Sequence, residues 1–167
     1  MAEFAWHEGP VPAGMPVRQV HGWLADATGR VLVQDRVHEQ RFLLAGGKSE
    51  MDDPDWAFTL IREAAEESQV KVARDSIVYL GHQVVTGDAQ VPGPYVQVRL
   101  FGTIDAFEPP APDPDSGHVY RRLLTSIPRA AGLLAWGRAG ELQSYAAARA
   151  ARDIGLPVDR PAAEGYA

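Results

Sequence analysis

The chain has 167 residues, 46% apolar and 23% charged, which suits one water-soluble domain with a single core. A net charge of −6 argues against duplex DNA or an anionic membrane as partner, yet permits a small anionic substrate held through a divalent cation. With no cysteine there is no disulfide framework, zinc–thiolate site or thiol nucleophile.

The first 16 residues are rich in Gly and Pro and read as an N-terminal arm or loop over the core. Their opening, "MAEFAWHEGPVPAG", lacks the basic and apolar regions of a signal peptide, and no run of about 18 apolar residues follows. A cytoplasmic location is therefore expected. "VRQVHGWLAD" and "RVLVQDR" predict two strands joined by "DATG", where Gly29 suits a tight turn, and "FLLA" predicts a short third strand before Gly46 and Gly47. A helix follows, with Asp53 as N-cap, Pro54 at its first position, and Trp56, Leu60, Ile61 and Ala64 on its core face.

"SIVYLGHQVV" and "YVQVRLFGTIDAF" predict an antiparallel pair. In the second, Val96, Val98, Leu100 and Ile104 alternate with Tyr95, Gln97, Arg99 and Thr103, giving one apolar face and one able to meet a polar ligand. "EPPAPDPDSG" reads as a loop, "SIPRAAGLLAW" as a short helix, and "GELQSYAAARAARDIG" as a C-terminal helix with Leu142, Tyr145, Ala146 and Arg149 on one side. The expectation is a single α/β (α+β) domain over residues 17–155, a mixed sheet with helices packed on it, and a frayed tail over 156–167.

One stretch stands out on electrostatic grounds. In "REAAEESQV", Glu63, Glu66 and Glu67 fall at i, i+3 and i+4, which is one face of a helix. Each like-charge pair costs roughly 0.2–0.5 kcal/mol, and anions are further disfavoured near a helix C-terminus. Arg62 offsets part of this. A bound Mg²⁺, which prefers oxygen ligands and is often shared with substrate phosphates, would reverse the balance. The plainer alternative is a solvated acidic face.

"GGKSEMDDPDWAFTLIREAAEESQV", Gly46 to Val70, resembles the Nudix box of the MutT-like hydrolases: Gly, five residues, Glu, seven residues, then Arg-Glu, an apolar residue, any residue, Glu-Glu, any residue, Gly and an apolar residue. It matches at Arg62, Glu63, Ala64, Glu66, Glu67 and Val70, and at Gly46, Gly47, Lys48 and Glu50 at the start. It departs twice. The spacing ahead of Arg62 is one residue longer, so that Asp53 is the best substitute for the first Glu. Gln69 replaces the Gly that ends the helix, which implies either backbone strain or a different exit.

The resemblance implies a Nudix fold, with a mixed sheet between helices. It also implies hydrolysis of a nucleoside diphosphate linked to another group, with Mg²⁺ or Mn²⁺ neutralising the pyrophosphate and lowering the pKa of bound water. On that basis Glu66 and Glu67 are metal ligands, Glu63 is a further ligand or takes the proton of the attacking water, and the Gly46 carbonyl completes the coordination. Arg62 becomes a positioning residue, its plainer role being an ordinary helix ion pair. Family members often add an acid from a later loop; Glu108, Asp113 and Asp115 are available, with Asp115 favoured. Lys48 and Arg99 are candidates for phosphate contact, with solvated surface cations as the alternative. Tyr95, Trp23 and Tyr120 could stack on a base or simply fill the core, and His118 reads as a surface residue. The substrate class runs from nucleotide sugars and ADP-ribose-like compounds to nucleoside triphosphates, with no nucleic acid polymer or membrane partner. Two other readings remain: a Nudix-fold nucleotide-binding or regulatory module with little or no turnover, and an acidic interaction domain without metal. Phe4 and Trp6 on the N-terminal arm could pack against a second copy to form a homodimer.

Overall fold

Apolar strand positions, the apolar stripe of one helix and the small-residue face of another account for the layers seen in the computed structural model, which describes residues 1–167. In chain order the strands are β1 (Glu3–His7), β2 (Val17–Ala25), β3 (Val31–Arg36), β4 (Arg41–Leu43), β5 (Ala45–Gly47), β6 (Val70–Thr86), β7 (Tyr95–Phe107), β8 (Arg121–Thr125) and β9 (Gly165–Tyr166). The helices are α1 (Trp56–Ser68), α2 (Ile127–Leu134) and α3 (Gly137–Asp153), and a single 3-10 turn spans Val37–Glu39. All strands join one sheet in the order β1-β6-β7-β2-β3-β8-β9, with β4 beside β3 and β5 beside β2. The β2–β7 pair is parallel and the rest are antiparallel, which makes the sheet mixed, as expected.

Each face of the sheet buries its own apolar cluster. Val20, Leu24, Val96, Val98 and Leu100 meet Leu60 and Ala64 of α1 on one face. Trp23, Val31, Val33 and Phe101 meet Ile127, Leu134, Ala147 and Ala151 of α2 and α3 on the other. Burying a side chain such as Leu60 stabilises by about 1.5–3 kcal/mol, so α1 is fixed by its apolar stripe and its acids are carried passively. β2 and β3 pair only at Ala25 and Val31, in a turn where Gly29 takes φ +82°, and then splay, β5 attaching to β2 and β4 to β3. That splay opens the sheet beside the end of α1.

Three expectations need correction, and α3 adds a detail to them. Residues 3–7 of the supposed arm form edge strand β1 against β6, because the Gly and Pro that suggested a loop lie only between Gly9 and Pro16. Asp55, not Asp53, caps α1, accepting from the Phe58 amide at 2.8 Å; Pro54 precedes the cap. The face that α3 buries is one of small residues, Gly140, Ala147 and Ala151 with Gln143, which lets the helix lie close to the sheet. The tail is docked: Val158 is buried, the Ala162 amide donates to the Thr28 carbonyl, and β9 pairs with β8.

Candidate active site

α1 carries its acids toward the gap between β2 and β3, where Arg62 organises Glu63 and Glu66 and Arg36 meets Glu67. Arg62 donates from Nε and Nη2 to Asp53 at 3.2 and 3.0 Å, from Nη1 to Glu63 at 3.1 Å and Glu66 at 3.2 Å, and from Nη2 to the Lys48 carbonyl at 3.0 Å. The longer spacing ahead of the helix therefore does not cost the Asp53–Arg62 contact; the loop absorbs the extra residue. The Arg62 bonds, with those from the Glu50 amide and the Thr59 hydroxyl, hold Asp53 down at a pKa of about 2.

Glu63 lies over Gly47, where an added Cβ would stand 2.6 Å from its carboxylate oxygen. Burial pushes Glu63 up to about 7, the charge of Glu67 adds to the shift, and Arg62 opposes it. Glu67 is the most enclosed of the three. It accepts from Gln34 Nε2 at 2.6 Å, Arg36 Nη2 at 3.0 Å and the Gly46 amide at 3.3 Å. Its pKa is nevertheless raised, because burial outweighs these contacts. Glu66 is the most exposed of the trio, its side chain 35% accessible.

Gln69 takes the left-handed conformation at the end of α1, φ 49° and ψ 45°, a strain of about 1–2 kcal/mol for a non-glycine residue. Its amide offsets part of this by donating to the Glu66 carbonyl at 2.8 Å and accepting from the Ala111 amide at 3.1 Å. That second bond ties down the loop carrying the later acids. There Asp113 is buried, accepts from the Ser116 amide at 3.0 Å and adds a small repulsion on Glu67; Asp115 is exposed, and Glu108 pairs with Lys71 at 2.8 Å.

Glu67, Gly46 and Gly47 form one wall of a cleft of about 680 Å³, with Arg36 and Arg41 beside them and His21, Gln97, Arg99 and Trp136 deeper in. A second depression of about 570 Å³, between β1 and α3, contains no residue of the 46–70 segment. Arg99 was expected on a polar strand face; it lies there, but only 2% exposed. The Lys48 side chain is exposed outside the cleft. Trp23 is core, Tyr95 bonds Asp88, and Tyr120 lies under the Arg36 guanidinium at 4.2 Å. His118 is exposed, against His38. Sequence reasoning missed Gln34, Arg36, His21 and Trp136. Gln34 alone carried a usable signal: an amide inside the otherwise apolar run "VLVQ".

No family profile matches the chain, and no curated protein matches it. Solved structures do. A Nudix hydrolase from Nitrosomonas europaea superposes with a TM-score of 0.54 at 16% identity, over 87% of this chain and 91% of that one. The chain has the Nudix fold. A UDP-X diphosphatase gives 0.59 at 13% identity over 86% of this chain, and the Bacillus subtilis pyrophosphohydrolase BsRppH gives 0.53 at 21% over 64%. The chain spans 66% and 62% of the length of those two proteins.

Within this Nudix-fold chain the donors suit a hard cation: carboxylates, two of them desolvated and repelling one another. No three acid or imidazole side chains converge into a cage. Mg²⁺ keeps several waters and needs only one or two carboxylates when it is shared with substrate phosphates, so the residues fit a shared cation and not a closed protein site. No helix is long and apolar enough to cross a membrane.

Proposed function

We propose that this Nudix-fold chain hydrolyses a pyrophosphate bond in a nucleoside diphosphate linked to another group. The supporting observation is the trio Glu63, Glu66 and Glu67: the Arg62–Asp53 clamp holds the first two, Gln34, Arg36 and the Gly46 amide hold Glu67, and Glu67 lies on the wall of a cleft large enough for a nucleotide derivative. Glu63, Glu66, Glu67 and the Gly46 carbonyl would hold Mg²⁺ or Mn²⁺, which would neutralise the pyrophosphate and make bound water a better nucleophile. Glu63 either joins that coordination or accepts the proton of the attacking water. Arg62 acts through others: it fixes the carboxylates of Glu63 and Glu66 and ties them to the loop that carries Lys48 and Asp53. Gly46 and Gln34 aim Glu67 by donating to it. Asp113 is the loop acid placed to assist; Asp115 and Lys48 could reach a substrate only from outside the cleft. The substrate class runs from nucleotide sugars to ADP-ribose-like compounds and nucleoside triphosphates.

The Arg36–Glu67 ion pair favours one competing reading, a nucleotide-binding module in which a guanidinium does the work of the cation and turnover is lost. Release of phosphate or nucleoside monophosphate from a panel of nucleotides with Mn²⁺, wild type against Glu67→Gln, separates the two. Turnover that falls in the variant supports the hydrolase. Turnover unchanged by the substitution removes Glu67 from catalysis, and no turnover on any compound supports the binding module.

A further inference from the structure

The deep end of the cleft holds a charge that the protein leaves unanswered. Arg99 is 2% exposed, and every group it meets is neutral. Its Nε donates to Gln143 Oε1 and its Nη2 to Gln97 Oε1, each at 3.0 Å; its Nη1 donates to the Val98 carbonyl at 3.2 Å and lies 3.5 Å from His21 Nδ1. Burial alone pulls its pKa down to about 9, with no carboxylate acting against that shift, so it stays charged at neutral pH. His21 is driven well below its ordinary pKa by burial and then by Arg99 and Arg36, so it adds no counter-charge. The other cations lining the cleft are answered: Arg36 by Glu67 and Glu39, Arg41 by Glu39.

The surroundings of Arg99 are built. Gln143 Nε2 donates to Gln83 Oε1 at 2.9 Å, and Gln83 Nε2 donates to Gln97 Oε1 at 3.0 Å. With the two bonds from Arg99 this closes a ring of three amides and one guanidinium drawn from β6, β7 and α3. The Trp136 ring lies 5.0 Å from the guanidinium carbon and lines the same cleft. Buried arginines are ordinarily paired with acids, because an uncompensated charge in a low-dielectric interior is costly. Here the amides hold the guanidinium in place without neutralising it, and a cleft gives access to it.

We propose that Arg99 and its amide ring form an oxyanion subsite that receives a phosphate or carboxylate of the ligand, in the same cleft as Glu67 but out of ion-pairing reach of it. Of the five N–H donors of Arg99, the second on Nη2 has no protein acceptor and the second on Nη1 has only the long 3.5 Å contact to His21, so the two together can meet two oxygens of such a group once that contact yields. The subsite depends on the hydrolase reading only for the source of its oxyanion; binding itself needs neither metal nor turnover.

The test uses the whole chain in chelator, with inorganic phosphate titrated at constant ionic strength and followed by calorimetry and by thermal unfolding. Wild type should bind phosphate and melt a few degrees higher at saturation. Arg99→Met should abolish both effects, and Arg99→Lys, which keeps the charge without the fork, should weaken binding about tenfold. No phosphate effect in wild type, or the same affinity in Arg99→Lys, overturns the subsite even if Arg99→Met fails to fold. With Mn²⁺ present, a matched pair then identifies the source: a uridine diphosphate sugar and its uronic acid, which differ by one carboxylate. A wild-type preference for the uronic acid that vanishes in Arg99→Lys places the distal group on Arg99. Arg99-dependent phosphate binding without that preference places the phosphate chain there. Phosphate binding with no turnover leaves the subsite standing and removes the hydrolase; turnover without Arg99-dependent binding does the reverse.

Discussion

The two ends of the cleft are built in opposite ways. The acids of the acidic end come from one continuous stretch, Asp53 to Glu67, in which helical spacing aligns the side chains and Arg62 holds all but Glu67, which β3 and β5 hold instead. The basic end is assembled from β6, β7 and α3, whose residues are up to 60 positions apart in the chain, and no short pattern encodes it. The acidic end has its charges in excess and mutually repelling; the basic end has one charge, held rigidly by neutral partners. Chemistry placed on a local element can be read from spacing. Recognition placed across a sheet requires the topology.

The largest expected effect separates the two ends directly. Glu67→Gln should lower kcat/KM about 10²–10⁴-fold while leaving phosphate binding at Arg99 unchanged. Loss of both in that variant would mean that the ends are not independent. Next in size is the clamp. Asp53→Asn should cost about 10–100-fold in Mn²⁺ affinity by calorimetry, since it loosens Arg62 and through it Glu63 and Glu66. Unchanged affinity would reduce Arg62 to an ordinary helix ion pair.

The third prediction concerns charge excess. Glu63 has a folded-state pKa of about 7, above the ordinary carboxylate value, so the folded protein holds this proton more tightly than the unfolded chain. The stability it contributes is fully present below about pH 4.5 and is lost as pH rises through about 7. In chelator, Glu63→Gln should therefore stabilise the protein at pH 8 by about 1–3 kcal/mol, or a few degrees in Tm, with little gain at pH 5. An equal gain at both pH values would rule out ionisation as the cause. Smallest is Gln69→Gly, which relieves about 1–2 kcal/mol of left-handed strain but loses two hydrogen bonds; the net change should lie within about 1 kcal/mol. Its signature is faster hydrogen exchange at the Ala111 amide.

The same contrast governs what the sequence disclosed. Strand alternation in β7, the apolar stripe of α1 and the Arg62–Glu67 spacing were legible because each depends on neighbours within a few residues. The strained exit at Gln69 was legible too, since only glycine escapes the cost of φ 49° there. Strand β1, the docked tail and the small-residue face of α3 were not, because their partners lie far along the chain. Arg99 was placed on the correct strand face, but its burial and its lack of an acid depend on Gln83 and Gln143, which nothing local to β7 announces.

Gly47 has one further consequence, for how this sequence can vary. Its backbone needs no unusual torsion; a side chain there would meet the Glu63 carboxylate and oblige it to move. Positions 47 and 63 therefore behave as one unit. Alanine at 47 alone should expel the acid, whereas alanine at 47 together with the shorter aspartate at 63 should restore the fit. Substitution at either site is conditional on the other, so variants of this chain should be built and selected as pairs at these two positions.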